Sequence, residues 1–119
     1  MPLLKLETTV VLTDEKRKAL LASLSKIVAE TIGKPEQYVM VTIGPAAIPA
    51  AILMSGKPGD AAFVDVRGIG GLSGDVNRQL SQKVCRLLNE SLGVPQERVY
   101  LNFIEVEAGN WGWKGNTFG

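Results

Sequence analysis

The sequence predicts an α/β fold in which two pseudo-symmetric β-α-β units form a four-stranded mixed sheet with two helices on one face. Two observations predict it. First, the stretch Gly33-Lys34-Pro35 with Val39 returns sixty residues later as Gly93-Val94-Pro95 with Val99. The match runs back through Leu20, Leu24, Ile27 and Val28, which correspond to Leu80, Val84, Leu87 and Leu88. A period this long marks two copies of one supersecondary unit. Second, each copy passes from a β-branched run to an apolar pattern of helical period and back to a strand-like run. The 119 residues are read as one domain, with repeat 1 at about 2–43, repeat 2 at about 61–106 and a tail at 107–119.

The elements follow in order. Leu3 to Val11 reads as a strand, with Lys5, Glu7 and Thr9 on one face. Thr13 is a candidate N-cap, and Asp14 and Glu15 suit the positive end of a helix dipole. The helix runs to Ile32 and stops at Gly33, with Pro35 just beyond. Tyr38 to Ile43 is the second strand. Copy two repeats the plan with a strand at Ala61–Val66, a helix from Ser73 or Asp75 to Leu92, and a strand at Arg98–Val106. Crossovers of this kind join parallel strands. Apolar residues at both parities of Val39–Ile43 and Val99–Ile104 predict that the sheet face opposite the helices is apolar and covered by other copies of the chain. The connection Gly44–Asp60 reads as a loop with a short extra strand. In the glycine-rich tail, Trp111, Trp113 and Phe118 predict docking against a pocket or a neighbouring subunit.

Composition excludes several classes of function. The formal charge of +1 without a basic run carries no footprint for nucleic acid. No apolar run approaches the roughly 20 residues of a membrane span. Lys5 and Glu7 interrupt any signal-like start, so the expected compartment is the cytoplasm, or the outside of the cell by a route without a signal peptide. There is no histidine and one cysteine, Cys85. Ser–His and Cys–His catalysis, an intrachain disulfide, a CxxC pair and a His-based or thiolate-cluster metal site are thereby excluded. Cys85 falls on the apolar pattern of the second helix and reads as a small buried hydrophobe.

Where the copies diverge, candidate chemistry appears. Gly68-Ile69-Gly70-Gly71-Leu72-Ser73-Gly74 fails as a dinucleotide fingerprint, because Ser73 stands where its last glycine belongs. It reads as a tight strand-to-helix turn with permissive backbone. Pro2 follows Met1, and removal of Met1 would leave a secondary amine fixed at the start of a strand. Burial beside a cation would lower the pKa of such an amine and make it a competent general base near neutral pH. Lys34 replaces Val94, either as a solvated lysine at a helix end or as a cation on apolar ground. Tyr100 and Asn102 replace Met40 and Thr42, and their spacing projects them from one face. They are either satisfied internally or line a cavity. One cation and two polar groups on apolar ground suit a small-anion pocket.

Taken together, Pro2, Gly33-Lys34-Pro35 with Tyr38, Ile69–Gly71, Asn77-Arg78, Arg98 to Asn102, Gly112-Trp113 and Asn116-Thr117-Phe118 resemble the macrophage migration inhibitory factor (MIF) family of the tautomerase superfamily. The resemblance spans essentially the whole chain. It implies a homotrimer around a central barrel, with three active sites at subunit interfaces. It implies Pro2 as catalytic base, with Lys34 and the Ile69 backbone holding the substrate's polar groups. Asn102 would reach in from the adjoining subunit, Tyr100 would line the pocket, and Tyr38, Trp113 and Phe118 would form an aromatic rim. The implied reaction is cofactor-independent enol–keto tautomerisation of aromatic α-keto acids such as phenylpyruvate, or of dopachrome-type compounds. The competing class is a cytokine-like binding protein with a vestigial pocket, and no residue pattern points to a receptor. Animal relatives with thiol oxidoreductase activity carry a CxxC motif. The aligned Ala61-Ala62-Phe63-Val64 lacks both cysteines, so that activity is expected to be absent.

Overall fold

A computed structural model describes residues 1–44 and 50–119. Strand β1 (Leu3–Thr8) leads to helix α1 (Asp14–Ile32) and strand β2 (Met40–Gly44). Strand β3 (Ala62–Gly68), helix α2 (Gly74–Leu92) and strand β4 (Val99–Glu105) repeat the plan. The tail forms a small hairpin of β5 (Gly112–Trp113) and β6 (Asn116–Thr117). The main sheet has the order β2-β1-β3-β4. Each copy contributes a parallel pair, β1 with β2 and β3 with β4, and the two copies meet antiparallel across β1 and β3.

Local chemistry sets the helix ends. The Thr13 hydroxyl accepts from the Lys16 backbone N–H and the Ser73 hydroxyl from that of Val76, satisfying amides that a helix start leaves open. Both helices end on a left-handed glycine, Gly33 or Gly93. α1 buries Leu20, Leu24 and Val28, and α2 buries Leu80, Val84, Cys85 and Leu88. Opposite them lie Leu4 and Leu6 of β1 and Val64 and Val66 of β3, all essentially without solvent contact. Each such side chain contributes roughly 1.5–3 kcal/mol of burial. The two-on-one layer arrangement is therefore the one expected.

Several boundaries moved. β1 ends at Thr8, three residues before Val11, because hydroxyls take over the pairing: Thr8 Oγ1 donates to the Ala61 carbonyl at 3.0 Å and Thr9 Oγ1 accepts from the Ala61 N–H at 3.1 Å. Tyr38 lies in a 3₁₀ turn, Glu36–Tyr38, closed by the Tyr38 and Val39 amides on the Pro35 and Glu36 carbonyls. The apolar run Ala50–Met54 forms no further strand of the sheet; Met54 instead bridges to Lys57 across a tight turn. Residues 45–49 of that connection lie outside the described residues.

The sheet face away from the helices also departs from expectation. Its apolar residues lie towards the two ends of the strands, Met40 beside Leu3 and Tyr100 beside Phe63, with Met40 65% and Tyr100 68% exposed. The central strands present Lys5, Glu7, Asp65 and Arg67 on that side. Lys5 pairs in register with Thr42 and Asp65, and Asp65 with Asn102, giving one polar row across all four strands. The parity argument held for β2 and β4 and did not extend to the middle of the sheet. Among the described residues no helix is long and apolar enough to cross a membrane.

Candidate active site

The chain start, the turn before β2 and the tail hairpin converge on one cavity of about 740 Å³. That volume is ample for a small organic ligand. Met1, Pro2 and Leu3 form one side, Tyr38, Val39 and Met40 a second, and Trp111, Trp113 and Phe118 a third.

Pro2 is fully buried at the head of β1, and its carbonyl accepts the Met40 N–H at 3.0 Å. The pairing holds the chain start against β2 and keeps it from fraying. Tyr38 is positioned from two directions. Pro35 fixes the entry to its turn, and Ser25 of α1 donates to Glu36 Oε2 at 2.8 Å. The third wall is built by the tail hairpin. Lys114 (φ 54°) and Gly115 (φ 77°) supply the two left-handed residues of a two-residue hairpin turn. The Phe118 amide donates to the Trp111 carbonyl, so Trp111 and Phe118 face each other across the ladder and Trp113 follows Trp111 on the same face. Trp113 and Phe118 stack with ring centroids 5.7 Å apart and planes 11° from parallel. The Lys114 ammonium lies 5.7 Å from the Trp113 ring centroid, a cation–π contact on an exposed rim.

Lys34 and Ile69 stand beside this cavity without lining it. The Lys34 amide donates to the Ala29 carbonyl just past the end of α1, and its stem runs close to Gly71. Gly68, which precedes Ile69, lies beside the Met1 carbonyl: a Cβ there would sit 3.9 Å from that oxygen. The terminal amine is held below its ordinary value, first by burial and then by the positive charge of Lys34. Met1 therefore lines the aromatic cavity and also neighbours Lys34 and the Gly68 turn. Tyr100 and Asn102 are exposed on β4, on the far half of the sheet, and take no part in this cavity within one chain.

The structure thus joins Pro2, Tyr38, Trp113 and Phe118, places Lys34 and Ile69 next to them, and leaves Tyr100 and Asn102 apart. It adds Trp111, Val39 and Met40, which sequence reading did not single out as site residues. Trp111 carried a signal: it lies two residues from Trp113, the same-face spacing of a strand. Among the described residues no group of acidic or thiol side chains is placed to hold a metal ion.

Two β-α-β units in one four-stranded sheet, with a proline buried at the start of the first strand, are the architecture of the tautomerase superfamily. Within it, the chain belongs to the MIF family: the family model described as "Macrophage migration inhibitory factor (MIF)" matches residues 1–119. A macrophage migration inhibitory factor from Xenopus laevis is 33% identical over 119 residues, covering 99% of each chain. A homolog from Trichuris trichiura is 37% identical over 98 residues, covering 82% of this chain and 83% of its own. The crystal structure of a homologue from Prochlorococcus marinus superposes with a TM-score of 0.89 at 35% identity, covering 98% of this chain and 99% of that one. A MIF-like protein from Entamoeba histolytica gives 0.90 at 32% identity, covering 98% of each.

Proposed function

We propose that this protein is a cofactor-independent tautomerase that interconverts the enol and keto forms of aryl α-keto acids, with the Pro2 amine as the proton-transfer group once Met1 is removed. The observation that carries the proposal is the setting of Pro2. It is buried at the floor of an aromatic cavity, beside a terminal amine whose pKa is lowered by burial and by Lys34. Both causes would act on the secondary amine that Met1 removal exposes, favouring a neutral base near pH 7. Loss of Met1 would also join the cavity to Lys34 and Ile69.

In the proposed reaction the Pro2 nitrogen accepts the enol O–H proton. The O–H bond breaks, the C=C electrons take up a proton at the adjacent carbon, and the oxygen becomes the carbonyl. The same nitrogen delivers that proton, so the amine is regenerated. Lys34 would pair with the substrate carboxylate and fix its orientation, a positioning effect. Tyr38, Trp113 and Phe118 would hold the aryl ring. Tyr100 and Asn102, exposed and unused within one chain, would complete the site of an adjoining subunit in a homotrimer.

The test compares phenylpyruvate enol–keto conversion by mass-verified protein lacking Met1 with conversion by protein retaining it. In the retained form the Pro2 nitrogen is an amide without basicity. The expected outcome is conversion well above the buffer rate in the first preparation only. Equal rates in both would remove Pro2 from catalysis, and no conversion in either would give the lead to a binding role.

A further inference from the structure

We infer that Trp111 sets the substrate class of this site, making it selective for fused bicyclic aryl α-keto acids, of indole type, over phenyl ones. The inference rests on the tautomerase reading and adds a specificity residue to it. Trp111 is half-buried and lines the cavity together with Pro2 and Leu3, where Trp113 and Phe118 form the stacked outer wall. Its backbone is fixed at both polar groups: its N–H donates to the Ala108 carbonyl at 3.3 Å and its carbonyl accepts the Phe118 N–H at 3.2 Å. The hairpin pleat puts Trp111 and Trp113 side by side on the face that meets Phe118. Both indoles line the same cavity, so together they offer more aromatic wall than a single phenyl ring covers.

Aromatic pairs gain from offset or edge contact in addition to buried area, so affinity grows with the ring area presented to such a wall. A phenyl group would leave part of that wall to water, whereas an indole would cover it. The Lys34 charge acts on the Met1 amine, next in the chain to Pro2, whereas the Lys114 ammonium sits over the Trp113 ring at the rim. A carboxylate drawn to Lys34 would place the keto carbon at Pro2 and send the aryl group towards Trp111.

The test uses the Met1-free protein and two variants, Trp111→Leu and Trp111→Phe. It measures kcat/KM for the enols of indol-3-ylpyruvate and phenylpyruvate, and in parallel the Kd values of the unreactive indole-3-acetate and phenylacetate. The extra ring is worth roughly five- to tenfold in either ratio, about the discrimination of one or two methylenes in an apolar pocket. Wild type should favour the bicyclic member of each pair by that factor. Trp111→Leu should lose the preference and Trp111→Phe should keep part of it. The graded response separates a wall contact from a general loss of fold, which would weaken both ligands alike. A wild type without the preference, or a Trp111→Leu protein that keeps it, overturns the inference. If neither keto acid is converted but the acetates still bind with the expected ratios, the specificity assignment stands and the tautomerase reading fails. Absence of both conversion and binding defeats both.

Discussion

Replacing Gly71 by alanine tests whether the strand-to-helix turn holds Lys34 in place. Gly71 has φ +82°, where an L-residue pays roughly 1–2 kcal/mol. A Cβ at this position would also lie 2.8 Å from Ile32 Cγ2 and 3.4 Å from Lys34 Cε. The first distance is too short for any real contact, so Ile32 must shift, and overpacking of this kind costs about 1–3 kcal/mol. Gly70 provides the control. Its φ of +69° carries the same backbone penalty, but a Cβ there meets nothing within 4 Å. Gly70→Ala should therefore lose about 1 kcal/mol and Gly71→Ala about 2–4 kcal/mol. Urea denaturation at matched protein concentration measures the difference. Lys34, two residues along the chain from the shifted Ile32, should follow it and raise KM for aryl α-keto acids in Gly71→Ala more than in Gly70→Ala, with kcat less affected. Equal stability losses in the two variants would refute the contact, and equal KM values would separate Gly71 from the position of Lys34.

Two further outcomes follow from the ionisable groups. In the Met1-retaining chain the folded amine titrates below its unfolded value, so the unfolded chain binds more protons in the window between them and stability rises with pH up to about 8. Lys34→Ala removes the smaller of the two causes and raises the folded pKa, so pH-dependent unfolding should show a narrower window; an unchanged window would mean that Lys34 does not act on the chain start. Burial pushes the Cys85 thiol up against the opposing hydrogen bond with Ser81. Thiol reagents at pH 7 should therefore modify Cys85 far more slowly than free cysteine and catch up only in denaturant, and fast modification of the folded protein would contradict its buried place on α2.

Much of the fold was legible because its signals are local. The sixty-residue period gave two β-α-β units, and Thr13, Ser73, Gly33 and Gly93 mark helix ends through capping bonds made within a few residues of each. Strand ends were less legible, since β1 stops where Thr8 and Thr9 hydroxyls meet Ala61, residues more than fifty positions away. The polar middle of the open sheet face escaped notice because Lys5, Glu7, Asp65 and Arg67 acquire a common face only once β1 and β3 pair antiparallel. Within the site, Pro2, Tyr38, Trp113 and Phe118 were found from the resemblance and the divergence between copies. Trp111 was read only as an aromatic docked on a pocket or a neighbouring subunit, and Met40 was not read as a site residue, because their membership depends on the tail hairpin meeting the start of β2.

The two copies differ at the places that correspond to this cavity. The in-register pair Leu3 and Met40 of the first copy corresponds to Phe63 and Tyr100 of the second, and the 3₁₀ turn ending at Tyr38 corresponds to the one ending at Arg98. Tyr38 leaves its crevice open to the tail hairpin. Arg98 instead donates to the carbonyls of Met54, Lys57, Gly59 and Asp60, at 2.9–3.2 Å, and draws the preceding loop across. What remains beside Tyr100 is a space of about 200 Å³. The nitrogens differ in kind as well. Pro2 stands one residue from the chain start and can become an amine, whereas Ala62, its counterpart sixty residues on, is an amide within the chain. In the proposed reaction Ala62 therefore could not repeat the part of Pro2. Tyr100 and Asn102 stay exposed on β4, as the proposed part in an adjoining subunit's site requires.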